Sequence, residues 1–405
     1  MAHLDLNDLK ARSLAELIQL GHERRIDHAD SLGHQDLLSG LLRAELDHRR
    51  DVSGTGVLEV LPDGFGFLRD LAASFQSGAH DIYVSPSQIR RFNLRNGDQV
   101  SGLVRAPKEN ERYYALVKVS SINGSDPDDA RDTRAFESLT PMLPERTWTL
   151  EHRPQALACR AVDLLAPLGV GQRALLVAPP RCMRRRLLRD LVDGLSANHP
   201  DAEILVALLA ERPEELTEFQ RTSTATVVGT TFDEPPARHL QVAEMILARA
   251  QRLVEHGRDV VLVVDSLSRL ARASGAPEGG QLSSAMMLPK RLFGAARRTE
   301  EAGSLTVLAT CLDSTGSRLD QHLLEELADT ANWEAWLSPE LAARHVYPAL
   351  DPDRTANLRL DRVAPASQES ARRARDACCE HGLDWLLRQL DQHPTNAKVS
   401  STLAA

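Results

Sequence analysis

Three features predict a multidomain chain: a small helical N-terminal subdomain, a β-barrel of the oligonucleotide-binding type, and an α/β P-loop ATPase domain. Leucines at helical spacing occupy residues 3 to about 50, and short, glycine-punctuated alternating runs occupy Asp51–Ser120. From Thr149 onward, apolar strand-like runs alternate with amphipathic helical stretches, the pattern of a parallel sheet covered by helices. With 405 residues there is room for two or three separate cores.

Composition narrows the class. A hydrophobic share of 42% and a charged share of 26% are ordinary for a globular protein, and no apolar run reaches the length of a membrane span. The start, MAHLDLNDLKARSLAELIQLG, mixes acids among its leucines and lacks the basic-then-apolar order of a secretory signal. Cys159, Cys182, Cys311, Cys378 and Cys379 show no CxxC spacing, so neither a zinc site nor a disulfide framework is expected, and a cytoplasmic location is. A net charge of −9 argues against a surface coated with phosphate contacts but permits a local basic groove.

In chain order, Leu6, Leu9, Leu14, Leu17 and Ile18, then Leu37, Leu38, Leu41 and Leu42, place a helical subdomain at residues 1–50, with Gly21 and Gly33 where helices would end. Residues 51–120 form the barrel. Within it Gly64-Phe65-Gly66-Phe67-Leu68-Arg69 sets two aromatics two residues apart on one strand face. Core packing and base stacking both fit such a pair. The scarcity of aromatics, 4% of the chain, and the flanking glycines favour stacking, with Tyr83 and Tyr113 extending the platform and Arg69, Arg90, Arg91, Arg95 and Arg112 supplying cations. Residues 121–148, polar and broken by Asp-Pro, Thr-Pro and Leu-Pro, read as a linker.

Residues 149–405 read as the ATPase-like domain, with strands expected at Ala174–Ala178, Ile204–Leu209, Thr226–Thr230, Val260–Val264 and Leu305–Thr310. Ligands of such sheets bind beyond the carboxyl ends of the strands. After the first comes Pro179-Pro180-Arg181-Cys182-Met183-Arg184-Arg185, shaped as a phosphate loop. A working loop needs glycine for close backbone approach, a Lys for the β/γ oxygens and a Ser/Thr hydroxyl for Mg²⁺. Met183, Arg184 and Arg185 stand at those positions, so the scaffold is present and its chemistry is altered. After the second strand come Glu211-Arg212, where a carboxylate could orient water; after the fourth, Asp265-Ser266, the form of the acid that holds a Mg²⁺ shell; after the fifth, Asp313–Arg318.

The stretches DGFGFLRD, DIYVSPSQIRRFNLRNGD, ERYYALVKV, GQRALLVAPP, ERPEELTEFQ, TFDEPPARHLQVAEM, DSLSRLARA and PKRLFGAARR resemble the bacterial transcription termination factor Rho family, with the similarity fading beyond about residue 360. The resemblance implies a cold-shock-type barrel that grips C-rich single-stranded RNA and a RecA-type domain that forms a hexameric ring and hydrolyses ATP with Mg²⁺. It places the RNA site on Phe65, Phe67, Arg69, Asp81, Tyr83, Glu111, Arg112 and Tyr113, all of which match the family. On the ATPase side it implies roles for Pro180, Arg181, Met183, Arg184, Arg185, Glu211, Arg212, Asp265, Arg269 and Tyr347, the last stacking on adenine, with Asp265 the Mg²⁺ ligand.

The departures from the family fall on the motor. The family loop A-P-P-K-A-G-K-T reads Ala178-Pro179-Pro180-Arg181-Cys182-Met183-Arg184-Arg185; Ala210 replaces an acid; Leu358 takes the arginine-finger position beside Arg359. The pore loop is shortened to Gly275–Met286 without its lysine, Arg318 replaces Lys in the second pore loop, and G-T-G-N reads Asp329-Thr330-Ala331-Asn332. The expectation is an RNA-binding protein in the regulation of termination with lost or strongly impaired ATP hydrolysis, in which Glu211 is vestigial. Partners implied are single-stranded RNA, Rho subunits or the RNA polymerase complex, in a homo- or hetero-oligomer. The alternatives are an active RNA-dependent ATPase and terminator, and a structural partner subunit with no RNA role.

Overall fold

The computed structural model describes residues 4–47, 52–108, 111–275 and 282–404, which divide into two compact units, Met1–Arg134 and Ala135–Ala405. Half of the shortened Gly275–Met286 stretch, residues 276–281, lies outside the described residues.

In the first unit three helices, Leu6–Ala11, Leu14–Glu23 and His34–Asp47, precede the barrel. Ser13 starts the second with a capping box, its hydroxyl accepting from the Glu16 N–H while the Glu16 carboxylate accepts from the Ser13 N–H. Leu6, Leu9, Leu17, Leu37, Leu38, Leu41 and Leu42 are buried in one core with Val52, Leu58, Leu68, Ile82 and Val100 of the barrel. Leu14, expected on that apolar face, is exposed instead because it sits at the first turn of its helix.

The strands are β1 (Leu4–Asp5), β2 (Val52–Val60), β3 (Gly66–Arg69), β4 (Ile82–Val84), β5 (Gln99–Arg105) and β6 (Tyr114–Ile122), in the order β1-β2-β3-β4-β6-β5. Pairing of β2 with β5 closes the ring. Gly102 is required at that closure, since a Cβ there would lie 2.1 Å from the Lys118 carbonyl oxygen, beside the bulge between β5 and β6.

In the second unit β7 (Pro141–Met142), β8 (Thr147–Trp148) and β9 (Leu168–Gly169) precede the main strands. These are β10 (Arg173–Ala178), β11 (Glu203–Glu211), β12 (Thr226–Thr231), β13 (Asp259–Asp265), β14 (Arg297–Thr299), β15 (Ser304–Leu312), β16 (Trp333–Trp336) and β17 (Ala356–Asn357). The five anticipated strands are all present and run parallel in the order β12-β11-β13-β15-β10, with β16 parallel beyond β10. Val260–Val264 is buried on both faces, as a parallel strand covered by helices must be. The stretch 121–148 contains ordered elements on both sides of the division: the end of β6 and the helix Pro127–Arg131 in the first unit, β7 and β8 in the second.

Register brings the carboxyl ends of the strands together. Leu208 pairs with Asp265 between β11 and β13, and Ala178 with Leu312 between β10 and β15, so the segments following these strands emerge along one edge.

A buried arginine ties the C-terminal helices to this sheet domain. Arg160, on the helix Leu157–Leu165, is fully buried and donates to the carbonyls of Pro154, Leu390 and His393 at 2.6–2.9 Å and to Asn396 Oδ1, while pairing with Glu151. Removing it would leave the buried Leu390 carbonyl without its donor and release the Pro154 and His393 carbonyls. Arg160→Ala should therefore cost about 3–5 kcal/mol, read as a lowered melting temperature together with accelerated hydrogen exchange in residues 383–404; unchanged exchange there would show that the helices dock without it.

Candidate functional site

The anticipated aromatic platform forms on the barrel. The Asp63-Gly64 turn, with Gly64 at φ +84°, reverses the chain so that Val60 pairs with Gly66 and Glu59 with Phe67. Phe65 lies 5.7 Å from Tyr83 and 5.8 Å from Phe67 between ring centroids, and Phe67 lies 4.8 Å from Tyr113 in an edge arrangement. Phe65, Tyr83 and Tyr113 are half-buried, leaving ring surface accessible, whereas Phe67 is only 8% exposed. Phe67 is thus the base of the platform, held by its aromatic neighbours. Gly66 serves close strand approach rather than exposure of the rings, since a Cβ there would stand 2.7 Å from the Glu59 carbonyl oxygen.

Arg69 is buried beside the platform, its guanidinium carbon 4.9 Å from the Phe67 ring centroid. Its Nε donates to Glu59 at 2.6 Å and its Nη1 to Asp81, and Asp81 also accepts from the Gly78 N–H at 2.8 Å. Glu59 was not among the anticipated residues; the hairpin register set by Asp63-Gly64 was the signal that places it opposite Phe67. On the other side Arg105, also unanticipated, makes a two-pronged pair with Glu111 at 2.5 and 2.9 Å. The bond from Arg105, with the Lys108 N–H, lowers the Glu111 carboxyl to about 2. Tyr83, Ser85, Arg105, Glu111, Arg112 and Tyr113 border a cavity of about 450 Å³, with Arg112 exposed and 5.7 Å from the Tyr113 ring.

In the second unit the loop after β10 keeps a P-loop's turn without its glycine. Arg181 and Met183 both take left-handed backbone, at φ +68° and +53°. Such residues cost roughly 1–2 kcal/mol each, held here by the flanking buried strand and the helix Arg184–Asn198. Pro180 and Arg181 are exposed, and the Cys182 side chain is buried under the loop.

The first turn of that helix carries three arginines, each aimed at a different part of the strand-end cluster. Arg184 Nε lies 3.0 Å from Asp265 Oδ1. Arg185 bridges Glu211 at 2.7 Å and Glu215 at 2.6 Å. The Arg186 guanidinium lies 3.9 Å over the Tyr347 ring, whose hydroxyl donates to Asp190 of the same helix. Glu211 and Asp265 are both fully buried, Glu211 also accepting from Arg269 at 2.6 Å and Asp265 from the Thr310 hydroxyl at 2.8 Å. Burial by itself would raise the Asp265 carboxyl; the charges of Arg184 and Arg269 and the bonds from Thr310 and Arg184 outweigh it and hold it below the ordinary range.

The remaining anticipated residues lie apart from this cluster. Arg212 caps the helix Pro213–Thr222 with an exposed side chain. Arg318 is exposed at the start of the helix Arg318–Ala328. Leu358 is 55% exposed, and Arg359 turns to Asp361 at 3.5 Å. Arg186 and Glu215 were missed as partners because only the fold brings Tyr347 and the helix after β11 beside the loop. Among the described residues no helix is long and apolar enough to cross a membrane.

Residues 54–128 match the family model described as Rho termination factor, RNA-binding domain, and residues 158–356 match the ATP synthase alpha/beta family, nucleotide-binding domain. An ATPase of the type III secretion system of pathogenic bacteria aligns with a TM-score of 0.50 at 26% identity, covering 59% of this chain and 68% of that one. The transcription termination factor Rho of Chromobacterium violaceum is 46% identical over 376 residues, covering 90% of each chain. That of Pseudomonas aeruginosa is 43% identical over 96% of this chain and 93% of its own, and that of Escherichia coli K12 42% identical over 96% and 92%. With the aromatic barrel and the P-loop sheet both in place, the chain belongs to the transcription termination factor Rho family.

Proposed function

We propose that this chain binds single-stranded RNA through its barrel, hydrolyses ATP poorly or not at all, and modulates termination rather than driving it. The observation that carries this reading is the ion pair between Arg184 and Asp265. In a working P-loop site the acid at this strand end supports Mg²⁺ and the helix start supplies its hydroxyl. Here Arg185 stands in the hydroxyl position and a guanidinium faces the acid, while Glu211, the candidate for orienting water, is held between Arg185 and Arg269. These side chains do not fit a Mg²⁺-bound nucleotide.

Such a protein would act by competing for RNA or by entering oligomers with Rho subunits or contacts with the RNA polymerase complex, in the cytoplasm. The relatives favour a second reading, an active RNA-dependent ATPase and terminator, because each is a transcription termination factor Rho matched over at least nine-tenths of both chains. A subunit with no RNA role is disfavoured by the platform of Phe65, Tyr83 and Tyr113.

RNA-stimulated turnover separates the two. With C-rich RNA the purified chain should hydrolyse ATP at least about 10³-fold more slowly than an authentic Rho, the scale of losing even one charge-stabilising element; a comparable rate would make it an active terminator. On the RNA side, Tyr83→Ala should weaken binding by about 1–3 kcal/mol in a fluorescence titration, without loss of folding because the ring is half-exposed; unchanged affinity would leave the barrel without an RNA role. The Glu111 carboxyl should titrate near 2 by carbon-13 NMR and rise toward the ordinary carboxylate range in Arg105→Ala, where the Lys108 N–H alone would hold it down. Because the folded value is depressed, the pair operates at neutral pH and is lost only as pH falls through that low value.

A further inference from the structure

We infer that Arg184-Arg185-Arg186 is a built-in ligand of the nucleotide pocket, so that the pocket is closed to nucleotide and to Mg²⁺ by the chain's own side chains. This rests on the reading above and extends it from poor hydrolysis to absent binding.

Four observations support it. First, Glu211 and Asp265 are fully buried at the ends of β11 and β13, and buried carboxylates in this setting require a cation. Second, consecutive helix residues diverge by about 100°, so three successive arginines in one turn can reach three partners, and they do: Asp265, the Glu211–Glu215 pair, and the ring of Tyr347. Third, three guanidinia, of Arg184, Arg185 and Arg269, stand against three carboxylates, of Asp265, Glu211 and Glu215, so that each buried acid already has a counter-ion from the chain itself.

Fourth, the arrangement opposes local preference. The helix Arg184–Asn198 has no acid in its first turn, and its N-cap Met183 makes no side-chain capping bond. Cations at that end oppose the helix dipole, so the run is unfavourable as a helix start and becomes favourable through what it reaches. Arg186 contributes differently: it stacks on the ring of Tyr347, the residue to which the family resemblance gives an adenine, with the Tyr347 hydroxyl anchored on Asp190.

The test is thermal melting of the full chain, alone and with millimolar Mg²⁺ or Mg²⁺–ATP, beside direct titration with a fluorescent ATP analogue. A ligand present at about a thousand times its dissociation constant would raise the melting temperature by roughly ten degrees. The wild-type chain should show no shift and no saturable binding. Micromolar nucleotide binding without turnover would overturn the built-in ligand while leaving the hydrolysis-deficient reading intact; binding with normal turnover would overturn both. Arg184→Ala should melt lower than wild type and recover part of the loss with Mg²⁺ alone, since a free cation can then reach Asp265. Melting of Arg184→Ala at the wild-type temperature, unmoved by Mg²⁺, would show that the arginine is not acting as the acid's counter-ion. The wild-type measurement decides the question by itself if the variant does not fold.

Discussion

Two carboxylates buried at the carboxyl edge of one parallel sheet set the terms for the whole second unit. Glu211 and Asp265 are brought to that edge by register, Leu208 pairing with Asp265 across β11 and β13, and both are inaccessible to water. A charge so placed must find a partner inside the protein, because leaving it unpaired would cost more than most single interactions return. The loop after β10 is therefore coupled to the sheet by electrostatic need as well as by covalent connection. Its left-handed residues at 181 and 183 keep the turn that lets the first helical turn face those acids.

The barrel answers to a different constraint. Its platform is assembled from two strands, a turn and the residue that leads into β6, and charged groups beside the rings are paired: Arg69 with Glu59 and Asp81, Arg105 with Glu111. The first unit has its own core, into which the N-terminal leucines pack.

Much of this was legible beforehand for definite reasons. Continuous apolar runs such as Val260–Val264 announce fully buried parallel strands, and the five anticipated strands followed from such runs and their flanking breaks. The aromatic pair, Tyr83 and Tyr113 could be grouped by strand alternation and scarcity. What the chain order hides is lateral neighbourhood. Glu59 is six residues from Phe65 in sequence and its importance appears only with the hairpin register; Glu215 and Tyr347 meet the arginine run from separate elements. The arginines themselves read as losses from a motif, since sequence displays what a motif lacks and is silent on what the replacements touch.

The paired carboxylates around Arg69 carry a further consequence. With Nε on Glu59, Nη1 on Asp81, and its face against Phe67, the guanidinium is immobilised in the free protein. Little rotamer freedom remains to be surrendered when a ligand arrives, so the ordering cost that usually erodes affinity has already been met by folding. A ligand reaching this face would meet a rigid template, with any discrimination residing in geometry set before contact.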